Sequence, residues 1–421
     1  MGTNQPDDRR GAWTPPPRPD WVAQVNAEGE VLDLRSVVPL RPEELIATAM
    51  ANTGLSNFGD DDWREPFEIY VRSLDAEAEL HLMGRIMTRT DLLMLLEARL
   101  QIEDLYARHP EIDDEVIEAP LWIFGQGRSG TSLLQTLLAL DPANRTPRFW
   151  EVMFPVPPSS GPDRRREVGD ARITLWNRVT PEIVSMHDFR GEAETETIHA
   201  ESLSFRCPPW LNLFGLTMSY NIHMAGEDYT KSFAYAKRVF KALQWQDGNR
   251  ARWVFKSPDS VHHLPELLRV FPDARLVFAH RDPVKALASA VNLIGTLTWI
   301  RSDRRMAAGT YDSVTDPNIV SAALAATIDL QESGTIPSKQ LGNVQYGDLV
   351  SDPVATVREL YRFHGIDMSP EFERRILQYL EEHPREERPA HRYARGSDET
   401  IAAERAMLAR YQQHYNVPEE L

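Results

Sequence analysis

The chain has 421 residues, 42% of them hydrophobic, and a formal net charge of −17. That length allows two or three ordinary domains, or one large domain with a helical appendage and a substantial core. The acidic balance argues against a nucleic-acid binder, the single Cys207 excludes an internal disulfide framework and a Cys-rich zinc site, and no long uncharged apolar run offers a membrane span.

The first 20 residues mix charge and proline without an apolar core, so residues 1–40 read as a flexible N-terminus and neither a secretory signal nor a folded element. A soluble, cytoplasmic protein is expected. From Arg41 to His109 the pattern is helical. Pro42 suits a first helical position, Leu45, Ile46 and Met50 recur at helical spacing, and Gly54 closes the element. Thr90 then precedes a leucine stripe through Leu92, Leu93, Leu95, Leu96, Leu100 and Leu105, which reads as packing. The acidic runs Asp60 to Asp62 and Glu111 to Glu118 have no histidine at ligand spacing and read as solvated faces, so no metal is expected.

Leu121 to Phe124 is a short apolar run of the kind that forms a buried strand, and Thr131 to Leu134 begins a helical pattern. Between them, Gly125, Gly127 and Gly130 let the backbone approach a ligand, while Ser129, Thr131 and Ser132 place hydroxyls beside the free amides of a helix start. Such a turn is a seat for an anion. Against the P-loop pattern, GQGRSGTS has Thr131 where the lysine belongs, with the positive charge three residues earlier at Arg128. Nucleotide hydrolysis relies on that lysine, so the substitution speaks against a kinase or NTPase.

Pro147 to Arg166 is proline-rich and basic and reads as a surface excursion at the mouth of a site. Arg172 to Phe214 carries His187, Asp188, Glu192, Glu194, Glu196, His199 and Glu201 before turning apolar at Trp210, Leu211, Leu213 and Phe214. A general base beside an apolar pocket has this composition, as does an acidic helix entering a core. Tyr229 to Gly248 is helical, with Gly248 as its stop. Trp253 to Phe255 and Leu276 to Phe278 are strands ending in Lys256-Ser257-Pro258 and His280-Arg281-Asp282, and Asp282 caps a helix from Pro283. Strand and helix in alternation imply a parallel sheet covered on both faces, with ligands at the carboxyl ends of its strands.

The RSGTS turn after a strand, the FKSP strand end, and HRDPVKALAS with Arg281 eight residues before Ser289 together resemble the sulfotransferase superfamily, in particular the bacterial branch whose loop reads GxxRSGTS. The resemblance extends from about Leu45 to the end of the chain. It implies an α/β fold, a P-loop-like three-layer sandwich around a central parallel sheet, with an N-terminal helical segment. It divides the chain into the N-terminus 1–40, a helical preface 41–118, and an α/β domain 119–421 with acceptor-pocket insertions at about 147–225. It implies transfer of the sulfuryl group of 3′-phosphoadenosine 5′-phosphosulfate (PAPS) to a hydroxyl or amine, leaving 3′,5′-adenosine bisphosphate. Gly127, Arg128, Ser129, Gly130, Thr131 and Ser132 would hold the 5′-phosphosulfate, Arg281 and Ser289 the 3′-phosphate, and Tyr346 would lie near the adenine. Eight residues rise about 12 Å along a helix, which a long arginine largely spans, so Arg281 and Ser289 can meet one phosphate. Arg128 and Lys256 would offset charge in a loose transfer transition state.

The departures from the family pattern matter as well. Pro258 stands two residues after Lys256, where the cytosolic branch has a catalytic histidine. The HExR-like stretch of the bacterial branch is matched by His187, Arg190 and Glu196, so Glu196 is the first choice of base, His187 the second, and His262 or His263 the third. Leu133 replaces a stacking tryptophan, and Arg392, Arg395 and Gly396 stand as a remnant of a segment that closes over the 3′-phosphate. An apolar, lipid-like small acceptor fits the composition of Pro147 to Gly161 and Trp210 to Met224 better than a charged sugar, although Arg164 to Arg166 keep an anionic one open. The alternatives are a P-loop kinase or NTPase and a non-catalytic nucleotide-binding protein of the same fold. Nothing in the chain fixes an oligomeric state.

Overall fold

The computed structural model describes residues 8–187, 189–306, 311–384 and 393–421. Five strands, β1 (Leu121–Gly125), β2 (Asn144–Arg145), β3 (Arg252–Lys256), β4 (Arg275–His280) and β5 (Leu341–Gln345), form one sheet in the order β2-β3-β1-β4-β5. Every pairing is parallel. Alternate residues of a strand point to opposite faces, and here they serve two separate cores. Trp122, Phe124, Phe255 and Phe278 join a large cluster on one face, while Leu121, Ile123, Val254 and Val277 join a smaller one on the other. Burial on both faces explains why these strands read as continuous apolar runs. The smaller core is closed by the helices Thr131–Ala139, Pro353–Phe363 and Pro370–Glu382, completing the expected α/β three-layer arrangement.

The cap read from sequence forms: Asp282 accepts from the amide of Val284. Asp352 caps Pro353–Phe363 in the same way, accepting from the amide of Ala355. Boundaries differ in places. The leucine stripe lies in one helix, Leu82–Arg108, which starts eight residues before Thr90 and is capped by His81 through Gly84. Tyr346 opens the helix Tyr346–Ser351, directly after β5, and β2 has only two residues, too few for a periodicity to reveal.

The helices Pro42–Thr53, Arg64–Glu77 and Leu82–Arg108 lie on the large core: Leu45, Phe67, Tyr70 and Leu96 belong to the same cluster as Trp122. From Asp8 onward the structure differs from the reading of a loose N-terminus. Helices run over Asp8–Ala12 and Asp20–Gly29. Arg9 is buried against Glu404, Arg10 pairs with Asp312 at 2.9 Å, and Trp13 packs edge-on to Trp299 over Gly295. The partner side chains lie between 286 and 395 residues away, so no local pattern announces them.

Candidate active site

The turn after β1 is shaped by backbone geometry. Gly130 adopts a left-handed conformation (φ 94°) as it caps Thr131–Ala139, and Arg128, unusually for a residue with a Cβ, also has positive φ (76°). The ring of Tyr346 lies so close to Gly130 that a methyl group there would sit 2.7 Å from it. Gln126 Nε2 donates to Pro283 O at 3.0 Å, tying the turn to the helix Pro283–Trp299.

Arg128 points along the cleft. Its Nε donates to Ser289 Oγ at 3.0 Å and its Nη1 to Met186 O at 2.9 Å. Among the described residues it pairs with no carboxylate, and Arg281 lies beside it, donating Nη1 to Arg128 O at 3.1 Å. Burial and the neighbouring Arg281 lower the Arg128 pKa, but an arginine stays charged. Ser129 Oγ is buried and has no hydrogen-bond partner among the described residues. Adjacent guanidinium groups, an orphaned hydroxyl and free helix amides together call for an anion.

Lys256 leaves the end of β3 fully buried and meets Glu196 Oε1 at 2.5 Å, with Ser132 Oγ at 3.3 Å. His187 Nε2 lies 3.9 Å from the same oxygen. Glu196 is held by backbone: Thr197 N donates to Lys256 O at 3.0 Å, and Thr195 N to Pro147 O at 2.9 Å. Burial pushes the Glu196 carboxyl up, but Lys256 and His187 outweigh it and hold it at about 2. Burial lowers His187, against the pull of Glu196, so its ring is neutral near pH 7.

A cavity of about 120 Å³ opens onto these groups. Its walls include Phe149, Phe189, Ile198, Trp210, Leu213 and Leu297. Phe149 comes from the proline-rich passage and Trp210 and Leu213 from the aromatic one. The sequence reading missed the wall from Pro283–Trp299, because Ala290, Leu293, Ile294 and Leu297 read as ordinary helix packing. His199, its Nε2 buried without a partner among the described residues, and Asp259 also line the cavity.

The sequence profile of the sulfotransferase family matches residues 120–370. The chain belongs to the sulfotransferase family. Its bacterial members include the relatives named ω-hydroxy-β-dihydromenaquinone-9 sulfotransferase Stf3 in Mycobacterium tuberculosis and Mycobacterium bovis, 25% identical over 281 residues, or 64% of this chain and 68% of theirs. Among solved structures, sulfotransferase STF1 from Mycobacterium tuberculosis aligns at a TM-score of 0.73 and 25% identity, over 87% of this chain and 98% of that one. Sulfotransferase STF9 from Mycobacterium avium aligns at 0.72 and 26%, over 90% and 98%. The kinase alternative falls with this assignment.

This sulfotransferase brings most of its sequence-predicted site residues together. Gly127, Arg128, Thr131, Ser132, His187 and Glu196 line the cavity, and Arg281 and Ser289 both touch Arg128. Tyr346 carries the Arg281 guanidinium on its ring, 4.0 Å from the centroid. Arg395 stands apart, its guanidinium exposed and paired with Asp398 at 2.7 Å; Arg392 and Asp188 lie outside the described residues. The histidines of the third choice are engaged elsewhere, His262 Nε2 on Ser313 O at 2.9 Å and His263 stacked on Tyr229. Two partners were not foreseen: Glu420, which holds Arg281, and Lys285, which shares that carboxylate. Lys285 stands inside the HRDPVKALAS motif, one helical turn after Arg281, and that spacing was the available signal.

Proposed function

We propose that this sulfotransferase moves the sulfuryl group of PAPS to the hydroxyl of an apolar, lipid-like acceptor in the cytoplasm. The observation that carries the acceptor class is the apolar lining of the cavity, with Phe149, Phe189, Trp210 and Leu297 facing Glu196 and Arg128. A greasy wall with a few convergent polar groups orients an alcohol while keeping water out. The Stf3 relatives, named for a hydroxylated menaquinone, point to the same class.

The donor fits the residues present. The Gly127 to Ser132 turn, with the orphaned Ser129 hydroxyl, would take the 5′-phosphosulfate, and Arg281 with Ser289 the 3′-phosphate, beside Tyr346. When bound, PAPS supplies an activated sulfuryl group: the acceptor oxygen bonds to sulfur as the bond from sulfur to the 5′-phosphate oxygen breaks. Arg128 and Lys256 offset the charge on the sulfuryl and departing phosphate oxygens. Glu196 takes the hydroxyl proton. A carboxylate held at about 2 by Lys256 is a weak base, but Lys256 has a second acceptor, Ser132, in reach. As Lys256 turns to the phosphate side, the largest influence that opposes burial is withdrawn, His187 alone remains, and the Glu196 pKa rises toward useful basicity. His187, neutral and within reach of Glu196, is the second candidate.

The test is incubation with sulfur-labelled PAPS and bacterial extract, followed by organic extraction. Label entering a lipid in the organic phase is expected. Label confined to water-soluble sugars or peptides would refute the acceptor class.

A further inference from the structure

Arg281 and Lys285 carry a carboxylate from 135 or more residues away. Glu420 Oε1 accepts from Arg281 Nε at 2.8 Å, and Oε2 accepts from Arg281 Nη2 at 3.0 Å and Lys285 Nζ at 2.9 Å. This is a two-pronged arginine contact with a lysine closing the third side, the arrangement a phosphate adopts on the same groups. The strap bearing Glu420 has its own anchor. Asp282, fully buried, accepts from the backbone amides of Glu420 at 2.6 Å and Leu421 at 3.2 Å, and is itself gripped by Arg405 at 2.6 and 3.1 Å. The ring of Tyr346 supports the Arg281 guanidinium, 4.0 Å from its centroid. The backbone of the strap is therefore held independently of the carboxylate it delivers. The carboxylate is about a quarter exposed, so water weakens its hold and another anion can exchange for it.

We infer that Glu420 is an affinity-determining residue of the donor site, an internal carboxylate that stands on Arg281 and Lys285 and must be displaced by the nucleotide's 3′-phosphate. The inference rests on the donor reading above. Apparent affinity for a 3′-phosphorylated nucleotide is reduced by the fraction of molecules in which Glu420 has let go. The product, 3′,5′-adenosine bisphosphate, meets the same competitor and leaves more readily. A nucleotide without the 3′-phosphate does not meet Glu420, so the residue also lowers the discrimination between the two ligand classes.

Calorimetric titration of wild type and Glu420→Gln with 3′,5′-adenosine bisphosphate and with 5′-AMP, at one salt concentration, tests this. The bisphosphate should bind the variant about tenfold more tightly, with 5′-AMP within about twofold of wild type. Glu420→Asp, a carboxylate one methylene shorter, should fall between, and thermal denaturation of both variants verifies their folding. Unchanged or weaker bisphosphate binding in folded Glu420→Gln, or equal tightening for both nucleotides, overturns the role of Glu420 while leaving the donor reading intact. Failure of the bisphosphate to bind wild type and variants alike would overturn the donor reading and this inference with it.

Discussion

The two cationic ends of the cleft are built alike but anchored differently. At one, Lys256 leaves the end of β3 and meets Glu196; at the other, Arg281 follows the end of β4 and meets Glu420. Glu196 sits on a segment stitched to the sheet by backbone hydrogen bonds, through Thr197 to Lys256 and Thr195 to Pro147. Glu420 reaches in from a strap whose backbone is held by side chains, Asp282 on its amides and Arg405 on the Leu421 carbonyl. A carboxylate fixed beside its lysine by the main chain stays in the site while chemistry proceeds. One that arrives on a partly exposed side chain can give way to a better anion.

The most damaging way to break this comparison is Lys256→Ala. It removes the charge facing the reacting group and leaves Glu196 buried without its main counter-charge, so transfer should fall by about 10³-fold. Single-turnover transfer from labelled PAPS measures it, and a rate within about tenfold of wild type would remove Lys256 from the chemistry.

Glu196→Gln should lower transfer by about 10²- to 10⁴-fold while leaving binding of 3′,5′-adenosine bisphosphate nearly intact. Retained activity would hand the role of base to His187. The same variant sharpens the electrostatics. Glu196 is held at about 2, below its ordinary 4.5, so its contribution to stability is present above pH 4.5 and is lost as pH falls toward 2. Melting temperature across that window should fall more steeply in wild type than in Glu196→Gln.

At the other end, Arg281→Ala should weaken bisphosphate binding by about 10- to 100-fold and 5′-AMP binding far less. Equal weakening of both in calorimetry would dissociate Arg281 from the 3′-phosphate.

The smallest expected effect comes from Glu201, five residues after Glu196, buried with hydroxyl partners at Thr197 and Tyr229 and, among the described residues, no cation. Burial pushes it up to about 7. The folded state then binds more protons than the unfolded one between pH 4.5 and 7, so wild-type stability declines as pH rises through that interval. Glu201→Gln should flatten the decline in a melting series, and an unaltered slope would mean that Glu201 does not titrate there.

The same locality that separates these ends decides what could be read early. The apolar runs of β1, β3 and β4 and the glycines of GQGRSGTS were legible because each expresses a neighbour-scale need: burial on two sheet faces, or positive φ at a turn. Arg281 and Ser289 were legible as a spaced pair within one motif. Leu293 and Leu297 were not, since an apolar residue facing a cavity and one facing a core look identical along the chain.

By itself the sequence determined the strands β1, β3 and β4, the glycine turn, the Asp282 cap and the placement of cations at strand ends, all set by interactions within a few residues. Only the tertiary structure decided which acid each cation meets. Glu196 finds Lys256 across 60 residues, Glu420 finds Arg281 across 139, and Arg9 finds Glu404 across 395. A charge has no preferred partner along a chain, because Coulomb attraction selects by distance in space and by the dielectric that packing creates.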